Sequence, residues 1–198
     1  AFTGGVNLAD EYINRVVRFG HWLDCGVMLH GPAAYSFALM YLSMWDDLRN
    51  MEDDPEEFLP AEGAFAGVQG QGYVQPYTDS PMDEELVGET AYINMLSRAK
   101  RSVYICTPYL VIGSELSRAL ESAAKGGVDV RMIVPGVPDK WFVYAVTRSY
   151  YGQLLRAGVR IYEYTPGFIH SKTMVCDGEY GICGTINLDY RSLYLHHE

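Results

Sequence analysis

From residue 84 onward the sequence alternates between the two periodicities of regular structure, and this alternation restricts the fold more than any other feature. Residues 84–100 read as a helix with Tyr92, Met95, Leu96 and Ala99 on one side. Residues 102–106 are a β-rich run closed by Thr107-Pro108. Ser114 is a suitable N-cap for a helix whose face is lined by Leu116, Leu120, Ala123 and Ala124, and Gly126-Gly127 ends it. Residues 128–134 form a strand, Pro135-Gly136 a turn, 139–157 a longer helix with Gly158 at its C-terminal cap, and 159–164 the next strand. FIHSKTMVCD and EYGICG then read as two strands joined by an Asp177-Gly178 turn. Alternating β and α units predict a layered α/β domain with a partly parallel sheet.

The 198 residues are 48% hydrophobic and 20% charged, which excludes a disordered chain and predicts a substantial core. No apolar run approaches the roughly 20 residues of a membrane-spanning helix. The longest, residues 33–45, contains Ser36 and Ser43. It belongs to a predicted helix over 33–48 with Phe37, Met40, Tyr41 and Met44 at helical spacing. Its polar face carries no Lys or Arg, so a core position is expected rather than a membrane surface. The acidic, proline-bearing MEDDPEEFLPAEG and the glycine-rich AGVQGQG mark a connector within 45–72. They divide the chain into a unit over 1–62, connector included, and a second unit over 63–198. The opening AFTGGVNLAD has neither a basic start nor an initiator Met, and is expected to lie inside a longer protein.

Charge is placed unevenly. Residues 1–90 hold three basic and sixteen acidic side chains, net −13; residues 91–198 hold twelve and nine, net +3; together they make the overall −10. The second unit can therefore host an anionic substrate, whereas a nucleic-acid partner is not expected without a broad basic face. Cys25, Cys106, Cys176 and Cys183 contain no C-x-x-C pair, so no metal site is expected. They are expected to be reduced, buried thiols, with Cys176 and Cys183 facing each other across the last hairpin.

The two ends of the chain repeat each other. Gly4-Gly5-Val6-Asn7-Leu8 near the start returns as Gly184-Thr185-Ile186-Asn187-Leu188, 180 residues later. The second copy follows His170-Ser171-Lys172 and Asp177. On a strand, His170 and Lys172 share a face. A histidine beside a lysine suits a phosphate: one attacks or moves a proton, the other neutralises oxygen charge. Asp177 is a candidate to orient the imidazole or hold its tautomer. Gly184 allows close backbone approach, and the Thr185 hydroxyl and Asn187 amide are candidate ligands of phosphate oxygens, as are Gly5 and Asn7 in the first copy.

His170, Lys172, Asp177, Gly184, Thr185 and Asn187 fill every specified position of H-x-K-x4-D-x6-G-[S/T]-x-N, and the chain is identified as a member of the phospholipase D superfamily. The run TPGFIHSKTMVCDGEYGICGTINLDYRSLYLHHE, the segment from Ser102 to Tyr164 and the opening AFTGGVNLADEY resemble bacterial cardiolipin synthases. The resemblance implies a phospholipase D-like α/β fold: a mixed β-sheet flanked by helices, in two pseudo-equivalent units that share one site. It implies a phosphatidyltransferase that joins two phosphatidylglycerol molecules through a phosphohistidine and releases glycerol. No metal or cofactor takes part, and the work is done at the cytoplasmic side of the cell membrane. By resemblance His170 is the general acid/base rather than the nucleophile.

The His, Lys and Asp of the first unit would fall ahead of residue 1, so the chain by itself is expected to be inactive, with apolar surface of its first unit left uncovered. Glu198 is a candidate polar partner of the site. Other readings are a different phospholipase D-type phosphodiesterase or phosphatidyltransferase, or a non-catalytic piece that binds phosphate or pairs with itself as a homodimer.

Overall fold

The computed structural model describes residues 1–70, 72–82 and 84–198; Gln71, in the predicted connector, and Asp83 lie outside the described residues. Along the chain come β1 (Phe2–Gly4), β2 (His21–Leu23), β3 (Gly26–Met28), α1 (Ala33–Arg49), α2 (Val87–Arg98), β4 (Ser102–Cys106), β5 (Leu110–Val111) and α3 (Ser114–Lys125). They are followed by β6 (Asp129–Pro135), α4 (Trp141–Ala157), β7 (Arg160–Tyr164), β8 (Gly167–Ile169), β9 (Thr173–Cys176), β10 (Tyr180–Cys183), β11 (Leu188–Asp189) and α5 (Tyr190–Tyr194).

Five strands form the central sheet in the order β10-β9-β4-β6-β7. β4, β6 and β7 run parallel, joined through α3 and α4, while β9 and β10 add an antiparallel hairpin. The sheet is therefore mixed, as the alternating pattern predicts. Period-two alternation sends Val103, Ile105, Val130, Met132 and Met174 into the core. There they meet Leu96 of α2, Leu116 and Leu120 of α3, and Leu154 of α4. Each such side chain contributes roughly 1.5–3 kcal/mol of burial energy. The alternate positions Tyr104, Tyr162 and Val175 face outward and stay exposed.

The turn chemistry acts as expected at two places. Gly158 ends α4 in the left-handed conformation, with φ 102°. Asp177 and Gly178 both take positive φ, 57° and 73°, which closes the β9–β10 hairpin. Ser114 does not cap α3: Gly113 holds that position, and the Ser114 hydroxyl donates to its neighbour Glu115. Helix α2 begins at Val87 rather than at residue 84, where Asp79 Oδ2 accepts the Gly88 amide at 2.7 Å.

Residues 1–50 are built differently. Only Gly5, Trp22, Gly31 and Leu42 are buried among them. Phe2, Leu8, Ile13, Val17 and Met28 remain exposed. β1 pairs with β3 in a small antiparallel ribbon, and β2 joins β8 of the second unit in parallel. The predicted core helix over 33–48 does form, as α1, but Leu42 is its only buried residue. The connector folds back on it, the Tyr35 hydroxyl donating to the Pro55 carbonyl at 2.9 Å. Further on, Asp79 and Glu198 exchange backbone hydrogen bonds at 2.9 and 3.0 Å, clipping residues 78–79 to the last residue of the chain.

Candidate functional site

The run FIHSKTMVCD is not one strand. It breaks into β8 and β9, and His170, Ser171 and Lys172 occupy the break. His170 and Lys172 still meet, although not through strand alternation. The Lys172 side chain folds back, so that Nζ lies 2.8 Å from Nδ1 and 2.9 Å from Nε2 of His170 and also donates to the His170 carbonyl. Lys172 is 4% exposed, and burial pushes its ammonium down to about 8, a shift that the carboxylates of Asp24, Glu198 and Asp189 only partly offset.

The parallel pairing of β2 with β8 decides what else reaches His170. Leu23 lies opposite Ile169, so the next residues on the two strands, Asp24 and His170, are brought side by side. The His170 amide continues the ladder to the Leu23 carbonyl at 2.8 Å. Asp24 Oδ2 stands 2.9 Å from His170 Nδ1, and the Gly5 carbonyl stands 3.0 Å from the same nitrogen. Both oxygens are acceptors for a hydrogen on Nδ1. The side chains of His170 and Asp24 are only 14% and 3% exposed. Asp24 is fixed in turn by the Cys25 amide, which donates to Oδ1 at 2.8 Å.

Gly5 is required by close approach. A Cβ there would lie 2.1 Å from Asp24 Oδ1 and 2.6 Å from the His170 carbonyl. Its amide is spent on the Cys25 carbonyl, so Gly5 touches the site through its carbonyl and offers no donor to a phosphate. Around the imidazole, Tyr12 packs edge-on at 5.2 Å between ring centroids, Trp22 lies at 5.5 Å and Phe168 at 5.8 Å. Asn7 reaches this shell indirectly, donating to the Tyr12 hydroxyl at 2.7 Å.

Asp177 is not at the histidine. Its carboxylate, at the hairpin turn, accepts the backbone amides of Lys100, Arg101 and Ser102 at 2.8–2.9 Å, and these three donors hold it well below the usual carboxylate range. The imidazole contact expected of Asp177 is made by Asp24 instead. The physical reason is the register: β9 carries Asp177 away from His170 along the sheet, whereas β2 ends beside it. The Gly184 amide donates to the Lys172 carbonyl at 3.3 Å. Asn187 Nδ2 donates to the Ser192 hydroxyl at 3.1 Å, and its Oδ1 is buried without a partner among the described residues. Thr185 is exposed beside them.

The thiols also depart from expectation. Cys183 faces Thr173 and Cys176 faces Tyr180, so the hairpin does not bring Cys176 and Cys183 together. Instead Cys183 Sγ lies 3.9 Å from Cys25 Sγ, across the seam between the N-terminal strands and β10. Only Cys176 is buried. Burial and the neighbouring Cys25 push the Cys183 thiol up to about 11. Next to Cys183 and Gly184 opens a cavity of about 630 Å³, walled by α1, β10 and residues of the stretch 73–80.

Residues 92–198 match the family model described as the PLD-like domain of cardiolipin synthase. An uncharacterised protein of Streptococcus mutans serotype c is 51% identical over this whole chain, which covers 42% of that protein. A cardiolipin synthase of a Geobacillus strain is 39% identical, again over the whole chain and over 39% of its own length. The chain thus spans about two fifths of the length of these relatives. Among solved structures, the phospholipase D family member Nuc from Salmonella typhimurium aligns with a TM-score of 0.45 at 18% identity, covering 55% of this chain and 69% of that one. With more than half of its residues under that family model, the chain belongs to the cardiolipin synthase, PLD-like domain family.

Proposed function

We propose that the protein containing this chain transfers a phosphatidyl group from one phosphatidylglycerol to another, yielding cardiolipin and glycerol, with His170 as general acid and base. The observation that carries the proposal is the Asp24–His170–Lys172 relay. A buried carboxylate on Nδ1 stabilises the imidazolium that forms when Nε2 takes up a proton, and holds the ring so that Nε2 is the working atom. Lys172 Nζ stands within 2.9 Å of both ring nitrogens in the resting site. An arriving phosphate draws the ammonium onto its oxygens and frees Nε2.

In the first half-reaction a second histidine, supplied by the first unit of the longer protein, attacks phosphorus. His170 enters this step as the imidazolium: the bond from phosphorus to the glycerol oxygen breaks as Nε2–H gives that oxygen its proton, which Nε2 regains in the second half-reaction. In the second half-reaction neutral Nε2 takes the proton from a hydroxyl of the second phosphatidylglycerol, whose oxygen displaces the histidine from phosphorus. No proton or electron is left over.

Thr185 and Asn187 serve the phosphate oxygens. Turning the Asn187 amide over would let the Ser192 hydroxyl donate to Oδ1 and present Nδ2 to a phosphate oxygen, which accounts for the unpartnered acceptor. In this role Asp177 is a positioning residue that fixes the hairpin. The work takes place at the membrane surface where the lipid resides.

The test is His170→Ala in the full-length protein. Label transfer from phosphatidylglycerol to cardiolipin should fall by about 10³-fold or more with the fold intact by circular dichroism. Retained transfer refutes the assignment. The 198-residue chain alone should show no transfer above background.

A further inference from the structure

A second parallel register brings a further polar group to the site. β5 and β11 pair with Leu110 opposite Leu188, so the residues ahead of them, Tyr109 and Asn187, come alongside each other. The Leu188 amide donates to the Thr107 hydroxyl at 3.2 Å, which holds the two strands in this register. The Tyr109 ring also packs on Phe168 at 6.4 Å between centroids, and Phe168 packs on the His170 imidazole at 5.8 Å. Tyr109 is thus a neighbour of Asn187 and one ring removed from the histidine.

Tyr109 carries a polar trio. Its hydroxyl donates to Asp139 Oδ2 at 2.7 Å, and Lys140 Nζ donates to the Tyr109 hydroxyl at 3.0 Å and to the same Oδ2. Oδ1 of Asp139 is left without a partner among the described residues. Burial, and then the Asp139 carboxylate, push the Tyr109 phenol up, so it stays a neutral donor. Burial also raises the Tyr12 phenol, and the Asp139 carboxylate is among the charges that add to it; Tyr12 is the ring that meets the imidazole edge-on. Tyr109 lies just beyond β4 and Asp139 just beyond β6, at the carboxyl ends of two adjacent parallel strands, where α/β sheets bind their ligands. The side chain of Asp139 is 15% exposed and that of Lys140 50%, so the trio opens outward through the lysine. Ammonium and carboxylate cancel, and what remains is a set of hydrogen-bond donors and acceptors with no net charge. Such a set suits hydroxyl groups and offers no counter-charge to a second phosphate.

We propose that Asp139, Tyr109 and Lys140 form the subsite for the alcohol side of the reaction and select a polyol. With phosphorus at His170, the spare hydroxyls of the glycerol unit bond to Asp139 Oδ1 and to the Tyr109–Lys140 pair. This rests on the reading of the site as a phosphatidyl-transfer centre, and it adds the residues that set which alcohol is taken. A site that hydrogen-bonds a substrate hydroxyl rejects an alcohol lacking it, because its own polar groups are then left unpaired. Proton transfer at the reacting oxygen stays with His170.

The experiment gives the full-length protein phosphatidylglycerol vesicles and measures transfer of the phosphatidyl group to free glycerol, 1,2-propanediol and 1-propanol at equal concentrations. In the unaltered protein, transfer should fall in that order, with glycerol preferred over 1-propanol by ~10–100-fold. Tyr109→Phe, which keeps the ring, and Asp139→Asn, which keeps the shape, should each cut that preference by about 10-fold, with a raised KM for glycerol. Thermal melts identify a variant that does not fold, and the alcohol series in the unaltered protein needs no variant. A trio that only ties the two loops together would lower transfer to all three alcohols alike. Unchanged ratios in the folded variants therefore overturn the proposal, and so does an unaltered protein that does not discriminate among the alcohols. Transfer with flat ratios overturns the subsite alone, whereas no transfer to any alcohol overturns the transfer-centre reading along with it.

Discussion

Lys172 offers a sharp test of the site's energetics, because its charge is retained at a cost to stability. The ammonium is almost wholly buried, and its fall from the ordinary 10.5 to about 8 corresponds to about 3 kcal/mol of penalty on the charged form in the folded protein. The unfolded chain therefore holds more protons than the folded one between about pH 8 and 10.5. Across that window the contribution of Lys172 makes stability rise with pH, and below pH 8 the penalty is present in full. Lys172→Met keeps the length of the side chain and removes the charge. It also removes a donor to the His170 carbonyl, worth about 1 kcal/mol. The net expectation at pH 7 is a gain of about 2 kcal/mol, or ~4–8 °C in Tm for a chain of this size. The assay is urea unfolding of both proteins by circular dichroism from pH 7 to 10. Taking the difference between them cancels the thiols and tyrosines that titrate in the same range. The difference should shrink toward pH 10 as the unaltered lysine sheds its proton on folding. A Met variant that is less stable at pH 7, or a difference that does not change with pH, refutes the reasoning. In the full-length protein the same change should cost transfer activity by ~10²–10³-fold, as expected for a group that neutralises phosphate oxygens.

Three further outcomes follow from the geometry. Asp24→Asn should leave the fold in place and lower transfer by the full-length protein ~10²–10⁴-fold, because the amide no longer stabilises the imidazolium on Nδ1; an unchanged rate would return the orienting role to another residue. Asp177→Ala should lower Tm by stripping three backbone amides of their acceptor. Since those amides depress its pKa, the stability Asp177 confers is present near neutral pH and is lost as pH falls through its folded-state value, so the Tm difference from the unaltered chain should vanish in acid. Mild oxidation with diamide should join Cys25 to Cys183, seen as one intramolecular cross-linked peptide pair by mass spectrometry under non-reducing conditions. Cross-linking of Cys176 to Cys183 instead would contradict the hairpin register.

Much of the second unit was legible in the sequence because its determinants are local. Period-two runs, helical stripes and the Asp177-Gly178 and Gly158 turns each act within a few residues, and the sheet assembled from them is mixed, as predicted. The errors have a common cause. Asp177 looked like an imidazole partner because it is close in sequence, but a carboxylate in a hairpin turn is pulled toward the nearest unpaired amides, here those of residues 100–102. Asp24, 146 residues from His170, carried no local signal and is selected by the β2–β8 register alone. Tyr12, Trp22 and Phe168 were missed for the same reason; a buried tryptophan two residues before an aspartate in HWLDC was the only hint. Helix α1 has the pattern of a core helix, but hydrophobic periodicity shows which face is apolar and not what that face will meet.

By itself the sequence determined which chemical groups this protein carries: an imidazole, an ammonium and a Gly-Thr-x-Asn segment at fixed spacing, together with an α/β scaffold to hold them. The tertiary structure alone decided which atoms work together. It placed Asp24 and the Gly5 carbonyl on Nδ1, sent Asp177 to the backbone, brought Cys25 to Cys183, and left the apolar face of α1 over a cavity. Side-chain identity and local propensity are properties of short segments. Register between strands far apart in the chain, and the volume left between elements, exist only once the whole chain has packed.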